Sequence, residues 1–278
     1  MTTKKDFTLN ITAIIPTFNR PEKTLRAIES ILNQTQPVDE ILVVDDASKK
    51  HFECKRDPKP TKVKVLRHDR NMGVSCARNT GIKEASNDWL AFLDSDDEWD
   101  PVKIEKQTQD QKNNTDTLFF YTEENWLRNG KVVRKKKHQK KHAGWIFEEC
   151  LKQCFIGAST LLVHKSVFDE VGFFDTELTV CEDYDFWIRA SHKYKVHFNE
   201  EALIDKYGGH EDQLSTKYFA MDYYRLLSLV KVYKILDLSE NESSYVKEHI
   251  GTKYKILKSG AEKYKNTELL EKLSKIIY

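Results

Sequence analysis

Acidic side chains follow two apolar runs of the chain, in a pattern that suits a divalent cation. Asp45 and Asp46 come directly after residues 41–44, and Asp94-Ser95-Asp96-Asp97 comes after residues 89–93. Crowded carboxylates repel one another unless water or a cation neutralises them. Mg²⁺ or Mn²⁺ takes one or two protein carboxylates and fills its other positions with water and phosphate oxygens. The pattern therefore predicts an ion that binds a phosphate ester. For Asp-x-Asp by itself, an exposed acidic turn that caps the next helix is an equal alternative.

The segments around these carboxylates alternate between strand and helix patterns. Apolar, β-rich runs predict strands at residues 11–16, 41–44, 63–66 and 89–93. Helical spacing of apolar residues predicts a helix that begins at Pro21, and a second helix covers residues 75–85. Strands alternating with helices imply a parallel sheet covered on both faces, and ligands of such sheets bind at the carboxyl ends of the strands. Both acidic runs fall at that edge, together with Pro16-Thr17-Phe18-Asn19.

The alternation continues past residue 100 and weakens only after residue 121. Asp100 and Pro101 are typical of a helix start and predict a helix to about residue 112, followed by strands at 117–121 and 159–163. A helix is predicted at residues 181–190, and the chain turns helical again from about residue 216. Residues 131–142 carry seven Lys or Arg and two His. Such a basic block is usually a solvated hairpin or loop.

Composition and charge exclude several classes of function. Among 278 residues, 45 Lys and Arg balance 44 Asp and Glu, so the chain lacks the positive excess of a dedicated nucleic-acid binder. Neither G-x-G-x-x-G nor G-x-x-x-x-G-K-[ST] occurs, which disfavours dinucleotide and P-loop folds. The five cysteines form no C-x-x-C pair, and no signal peptide or membrane-length apolar run is visible. We therefore expect a soluble protein of the reducing cytoplasm.

Six short segments, taken together, resemble a known family. Four of them are Ile14-Ile15-Pro16-Thr17-Phe18-Asn19-Arg20, Val43-Val44-Asp45-Asp46-Ala47-Ser48, Asn71-Met72-Gly73 with Ala77-Arg78-Asn79, and Phe92-Leu93-Asp94-Ser95-Asp96-Asp97. In order and spacing they resemble the family 2 glycosyltransferases of GT-A fold. Gly172-Phe173-Phe174-Asp175 and Glu182-Asp183-Tyr184-Asp185-Phe186-Trp187 resemble the acceptor-side region of that family. The resemblance covers roughly residues 11–210 and implies a GT-A, Rossmann-like α/β fold with a mostly parallel sheet flanked by helices.

The resemblance implies a nucleotide site at the first strand ends. Phe18 would offer an aromatic face to the base, Asp46 would accept from a uracil-type N–H, and Asp45 would be structural. Arg78 would reach the ribose or diphosphate, although a solvated helix face is an equally good interpretation of this arginine. The remaining residues that the resemblance assigns to the nucleotide sugar are Pro16, Thr17, Asn19, Asn71, Gly73, Asp94, Ser95 and Asp96.

The resemblance also implies the catalytic groups. Asp96 would hold Mn²⁺ or Mg²⁺, and Asp97 could share that role. Asp183 would be the base that takes the proton of the acceptor hydroxyl. Glu182 is the alternative base, and an acidic pair that only stabilises its own helix N-terminus is a further interpretation. His210 would complete the metal shell or touch the diphosphate, while an ordinary surface histidine is an equal alternative.

The function implied is an inverting, metal-dependent transfer of a sugar from a nucleoside diphosphate, with UDP the family's commonest carrier. The acceptor would be a hydroxyl of a glycan or lipid-linked glycan, in surface polysaccharide or lipopolysaccharide biosynthesis. We expect no nucleic-acid partner. The basic block and the C-terminal helices allow peripheral contact with the inner membrane surface, although a solvated face is their default.

Two other classes of function are weighed beside this one. A sugar-phosphate nucleotidyltransferase would carry a Gly-rich basic loop after the first strand, where this chain has Pro16-Thr17-Phe18-Asn19. A non-catalytic nucleotide-sugar-binding module would be expected to lack the acidic residues. On the main interpretation, residues 1–215 form the transferase domain, with a nucleotide-binding half to about residue 115 and an acceptor-side half from 116. Residues 216–278 form a helical extension.

Overall fold

The computed structural model describes residues 9–54, 60–128, 130–133, 140–209 and 221–276. The strands in these ranges are β1 (Ile11–Thr17), β2 (Glu40–Asp45), β3 (Lys62–Arg67), β4 (Trp89–Phe92), β5 (Glu98–Trp99), β6 (Phe119–Arg128), β7 (Lys131–Val132), β8 (Leu162–His164) and β9 (His197–Gly208). The α-helices are α1 (Pro21–Leu32), α2 (Val74–Glu84), α3 (Lys103–Asn113), α4 (Phe147–Lys152), α5 (Ser166–Val171), α6 (Glu182–Lys193), α7 (Met221–Ile235), α8 (Glu240–Lys263) and α9 (Thr267–Ser274).

One mixed sheet organises the described residues. Its order is β3-β2-β1-β4-β8-β6-β9-β5, with β7 paired to β6. The half built from β1 to β4 is parallel, as the alternation of strands and helices predicts. Antiparallel pairs of β8 with β4 and β6 then link this half to a second parallel pair, β6 with β9. The predicted α/β class is confirmed, and the first acidic runs lie at the carboxyl ends of β2 and β4.

The predicted strand at residues 159–163 begins later than expected. A 3-10 turn covers Ala158–Thr160, and β8 starts only at Leu162. Both the amide and the hydroxyl of Thr160 donate to the carbonyl of Gly157, at 2.9 and 2.7 Å. Hydroxyl side chains that bond nearby backbone compete with strand pairing in this way. The delay places Ser159 beside the carboxyl end of β4 instead of within a ladder.

Helix α2 lies unusually close to strand β1. A side chain added at Gly81 would overlap with Cγ2 of Ile14 on β1, and its Cβ would lie 3.2 Å from Cγ1 of the same residue. Interior packing of this density leaves no room for even one methyl group. Glycine at this position therefore allows the short distance between α2 and the sheet.

The C-terminal helices pack onto the sheet domain. Leu226 and Leu229 of α7, Ile250 of α8 and Leu273 of α9 are buried in the same apolar cluster as Phe92 of the sheet. Helix α8 begins with a capping box, in which Ser239 and Glu242 satisfy each other's backbone amides. Helical structure in this region is as predicted, while the proposed boundary at residue 215 lies outside the described residues. No described helix combines the length and the apolar character that a membrane span requires.

Candidate active site

The loops after β1 and β2 are tied to each other by hydrogen bonds. The amide of Asn19 donates to Oγ of Ser48 at 2.8 Å, and Oδ1 of Asn19 accepts from the amide of Lys49 at 2.8 Å. The carbonyl of Thr17 accepts from the amide of Asp46 at 2.9 Å. Pro16 is buried in β1, whereas the side chain of Phe18 is 42% exposed. The strand ends therefore form one rigid ledge with an aromatic ring on it.

The two aspartates that end β2 lie in different surroundings. Asp45 is fully buried, accepts from the amide of Ser48 at 2.9 Å and pairs with Arg67. Burial opposes its ionisation, but the hydrogen bonds from Ser48 and Phe52 and the charge of Arg67 outweigh it and lower the pKa of Asp45. Asp45 is therefore placed as a structural carboxylate.

Asp46 organises the loop that precedes α2. Its Oδ1 accepts from the amide of Met72 at 2.8 Å and pairs with Nδ1 of His68 at 2.7 Å, and its Oδ2 accepts from the amide of Gly73 at 2.8 Å. Asn71 donates to the backbone carbonyl of Asp46 at 3.3 Å. A carboxylate offers about four acceptor positions, so three protein partners leave room for one ligand N–H. Asn71 and Gly73, which the resemblance assigns to the nucleotide pocket, both bond Asp46, and their contact with a nucleotide stays a prediction.

Arg78 of α2 joins two acidic segments that are far apart in sequence. Its NH2 group donates to Oδ1 of Asp94 at 2.7 Å, and its NH1 group donates to Oε1 of Glu182 at 2.6 Å. The arginine side chain is 6% exposed. The alternative of a solvated helix face is therefore wrong. Two charge-assisted hydrogen bonds to carboxylates stabilise the guanidinium inside the protein.

Glu182 and Asp183 begin α6 and differ in their contacts. Glu182 is buried in the ion pair with Arg78, and burial, followed by the charge of Asp183, raises the pKa of Glu182 to about 7 against the opposing charge of Arg78. Asp183 is half-buried. Its Oδ1 accepts from the amide of Tyr184 at 2.7 Å, and its Oδ2 lies 3.4 Å from Sγ of Cys154. Asp183 is thus the more accessible carboxylate of the two.

The acidic run after β4 is a tight turn closed by the amide of Asp97 donating to the carbonyl of Asp94 at 3.0 Å. Oδ2 of Asp96 pairs with NH1 of Arg20 at 2.9 Å, and this carboxylate is 14% exposed. Burial raises the pKa of Asp97 well above its usual range, although Lys206 opposes this. The oxygens of Asp97 accept from Oγ of Ser159 at 2.7 Å and from the amide of Tyr207 at 3.2 Å. Asp94 and Asp96 each pair with an arginine but keep some exposure to solvent, whereas Asp97 is buried and both of its oxygens accept from protein donors. Ser95 is buried as well.

Lys206 of β9 is a site residue that the sequence reasoning missed. Burial alone would lower the pKa of its ammonium group, but the carboxylates of Glu124, Asp97 and Asp94 outweigh it and raise this pKa. Lys206 lies in β9, outside every motif that the sequence analysis identifies. Arg20, in contrast, directly follows the first strand-end loop, and this position could have marked it as a partner for the acidic turn.

The donor atoms at the turn suit a hard divalent cation in part. Asp94 and Asp96 offer carboxylate oxygens, the ligands that Mg²⁺ and Mn²⁺ prefer. Across the described ranges, no cluster of three or more His, Cys, Asp or Glu forms a protein cage for a metal. Two carboxylates completed by phosphate oxygens would fit. The repulsion among the carboxylates is already reduced by Arg20, Arg78 and Lys206, so it does not by itself require an ion.

Besides the domain boundary at residue 215, two of the sequence predictions lie wholly or partly outside the described residues. His210 is one of them, so its role as a metal ligand stays a prediction. Of the basic block 131–142, residues 131–133 and 140–142 are described. Lys141 is buried there, and its Nζ donates to the carbonyl of Thr122 at 3.1 Å.

Comparisons with known proteins identify the family of this chain. A sequence model of Glycosyl transferase family 2 matches residues 12–172. An uncharacterized glycosyltransferase of Rickettsia felis is 32% identical over 229 residues, which cover 78% of this chain and 38% of that protein. The Escherichia coli protein WfgD, named UDP-Glc:alpha-D-GlcNAc-diphosphoundecaprenol beta-1,3-glucosyltransferase, is 31% identical over 180 residues, 64% of this chain and 68% of that one.

A solved structure shows the same fold. Staphylococcus aureus TarS, residues 1–349 in complex with UDP-GlcNAc, superposes with a TM-score of 0.69 and 18% identity over 88% of this chain and 72% of that one. This likeness confirms the predicted GT-A class. The sequence match to the Rickettsia protein covers only 38% of that protein, so most of that relative has no counterpart in the matched region. The family model covers over half of this chain, and the Rickettsia relative exceeds 30% identity over more than two thirds of it. The chain therefore belongs to glycosyl transferase family 2.

Proposed function

We propose that this protein is an inverting glycosyltransferase that moves a sugar from a UDP-sugar to a hydroxyl group of a saccharide acceptor. The observation that carries the proposal is the junction made by Arg78 between Asp94 at the end of β4 and Glu182 at the start of α6. This junction brings Asp183 to the strand ends at which ligands of such sheets bind. TarS was solved with UDP-GlcNAc and WfgD is named for UDP-Glc, which supports a uridine carrier.

The proposed donor site lies on the ledge at the ends of β1 and β2. The exposed ring of Phe18 offers a face for the uracil, and the remaining acceptor position of Asp46 would take a base N–H. The diphosphate would then lie toward the acidic turn and the three cations around it. Arg20, Arg78 and Lys206 reduce the repulsion between the carboxylates and the phosphates.

In this proposal Asp96 holds a Mn²⁺ or Mg²⁺ ion together with the diphosphate, and Asp94 lies beside the ribose or sugar. The bound ion would act as a Lewis acid that stabilises negative charge on the departing diphosphate. Asp97 is a poorer ligand, because it is buried and both of its oxygens already accept from Ser159 and Tyr207. Asp96 pairs with Arg20 but keeps 14% of its side chain exposed.

The proposed reaction is a single displacement. Asp183 accepts the proton of the acceptor hydroxyl while that oxygen forms the new bond to the anomeric carbon. The bond from the anomeric carbon to the diphosphate breaks, and UDP leaves with the electron pair. Attack from the face opposite UDP inverts the anomeric configuration. Glu182 is less suited to this role, because Arg78 holds its carboxylate in a buried ion pair.

The test compares Asp183→Asn with the wild-type enzyme. UDP release from UDP-Glc and UDP-GlcNAc is measured with Mn²⁺ and with EDTA, and UDP affinity is measured by calorimetry. Asp183→Asn is expected to lower turnover by about 10²- to 10⁴-fold, because a positioned base contributes that much. Its affinity for UDP is expected to stay within about threefold, since Asp183 makes no contact in the donor ledge.

Glu182→Gln serves as the companion variant. It should lose thermal stability through the broken pair with Arg78 while the folded enzyme keeps most of its turnover. Full turnover in Asp183→Asn would refute the role of the base. Tight UDP binding without any sugar release in the wild type would favour the non-catalytic module, and pyrophosphate release from UTP plus a sugar phosphate would favour the nucleotidyltransferase.

We further propose that the acceptor is a lipid-linked glycan, since the name of WfgD specifies a diphosphoundecaprenol-linked acceptor. Such an acceptor would place the enzyme against the inner membrane surface. Sedimentation with vesicles tests this: binding to anionic but not neutral phosphatidylcholine vesicles is expected. Equal retention on both, or on neither, would count against membrane contact.

A further inference from the structure

Both carboxylate oxygens of Asp183 have a neighbouring donor. The backbone amide of Tyr184 donates to Oδ1 at 2.7 Å. On the other side, Sγ of Cys154 lies 3.4 Å from Oδ2. Two donors on two different oxygens fix the rotation of a carboxylate, whereas one donor leaves it free to turn. The geometry therefore holds Asp183 in a single orientation.

The thiol of Cys154 has one proton and two acceptors within reach. Oδ2 of Asp183 lies at 3.4 Å and the carbonyl of Ile156 at 3.7 Å. The carboxylate is both closer and charged, and hydrogen bonds to charged acceptors are the stronger kind. Burial, followed by the charge of Asp183, raises the pKa of the Cys154 thiol well above its usual value. The thiol therefore stays protonated and acts as a donor, not as a nucleophile.

The segment that carries Cys154 is itself part of the site wall. It runs from the end of α4 to Gly157, where a side chain would meet Oε2 of Glu124 at 2.6 Å and Nζ of Lys206 at 3.6 Å. In the turn that follows, Oγ of Ser159 donates to Oδ2 of Asp97 at a distance of 2.7 Å. The position of the thiol is thus set by a segment packed against the charged residues of the site.

We propose that Cys154 is a positioning residue, whose thiol donates to Asp183 and holds that carboxylate in the orientation needed to take the acceptor proton. This inference rests on the proposed role of Asp183 as the base. An orientation error of the base lowers the rate of the chemical step without weakening donor binding. The expected signature is a change in kcat with little change in KM.

Two substitutions of similar size separate positioning from packing. Cys154→Val fills the space without a donor, and Cys154→Ser restores a donor. With UDP-GlcNAc or UDP-Glc as donor, Cys154→Val is expected to lower kcat about tenfold, while the KM for the donor stays within about twofold of the wild-type value. Cys154→Ser is expected to return kcat to within about threefold of wild type. Cys150 lies four residues earlier, in α4, and is buried in the apolar core. Cys150→Ala should keep the kcat of the folded enzyme.

An infrared measurement tests the hydrogen bond without turnover. The S–H stretching band of Cys154, isolated as the difference between wild type and Cys154→Ser, is expected to shift to higher frequency in Asp183→Asn, because a neutral acceptor binds the proton less strongly. An unshifted band would overturn the inference, as would equal kcat in Cys154→Val and the wild type. If Cys154→Val and Cys154→Ser both lower kcat and lose the same amount of thermal stability, the thiol would act only through its packing.

These outcomes separate the inference from the proposed function. An unshifted band together with an inactive Asp183→Asn would refute the positioning role and leave the base in place. A shifted band together with an active Asp183→Asn would refute the base and, with it, the catalytic meaning of the thiol contact.

Discussion

Replacing Arg78 by methionine should destabilise the protein in a way that depends on pH. Methionine keeps most of the length and apolar volume of the arginine stem but removes both charge-assisted hydrogen bonds. The substitution leaves Glu182 with a 7% exposed carboxylate and no counterion, while Asp94, at 27% exposure, remains accessible to water. Most of the loss should therefore come from Glu182.

The size of the effect follows from the burial of this pair. Removing one partner of a buried ion pair costs about 3–5 kcal/mol, because a charge is left uncompensated. At about 2–4 °C per kcal/mol for a domain of this size, Tm should fall by roughly 6–20 °C. Burial already raises the pKa of Glu182 to about 7 with Arg78 present, and loss of the guanidinium can only raise it further. A raised carboxyl pKa means that the folded state favours the proton. The penalty is therefore small well below pH 7, grows as the pH rises above 7, and is full only above the further raised pKa of Glu182 in Arg78→Met.

Thermal unfolding of Arg78→Met and wild type at pH 5.5 and pH 8 measures this. The gap in Tm is expected to be larger at pH 8. Arg78→Met/Glu182→Gln should recover most of the loss, because a neutral amide needs no counterion. Lys106→Met serves as the control, since it breaks an exposed pair with Glu201 and should change stability little. A Tm gap that is equal at both pH values, or no rescue by Glu182→Gln, would refute the reasoning.

Two further outcomes are expected. Asp96→Asn should weaken Mn²⁺-dependent UDP binding at least about tenfold by calorimetry. Asp97→Asn should change this binding by no more than about threefold, because Asp97 is buried and protein groups already bond both of its oxygens. Equal losses would contradict the assignment of the metal to Asp96. Asp45→Asn should cost about 1–3 kcal/mol at pH 7 in urea unfolding, since it disturbs the pairing with Arg67. Because the pKa of Asp45 is lowered in the folded state, the wild type loses this contribution as the pH falls below about 4, so the difference should narrow at pH 3.5; a gap of constant size would show that the charge of Asp45 is not what stabilises the fold.

The sequence predicts the parallel half of the sheet because each part of it is local. Apolar runs, helical spacing and the residues after each strand all lie within short windows, so the ledge and the acidic turn could be placed in advance. The second half is different, since β8 pairs antiparallel between β4 and β6, and no local pattern specifies that order. The hydrogen bond from the hydroxyl of Thr160 to the backbone also makes β8 begin later than the apolar residues of this segment predict.

The candidate site could be predicted as separate segments, but not as the contacts that join them. Arg78 and Glu182 are 104 positions apart, and nothing in their surroundings in sequence links them. The same holds for Lys206, whose charge lies among carboxylates supplied by other elements of the fold. The sequence therefore identified the carboxylates and Arg78 as candidates, while the pairing of each cation with its carboxylates became visible only once the chain was folded.

The absent side chain at Gly81 has a consequence for how inactive variants are interpreted. Any larger residue there would lift α2 from β1, and the guanidinium carried one turn earlier would withdraw from its two carboxylates. Such a variant would bind donor poorly although position 81 faces Ile14 and contacts no ligand. A mutational scan scored by activity would thus rank this buried glycine among the binding residues. Only a stability measurement on the same variants would show that the effect comes from the displaced helix.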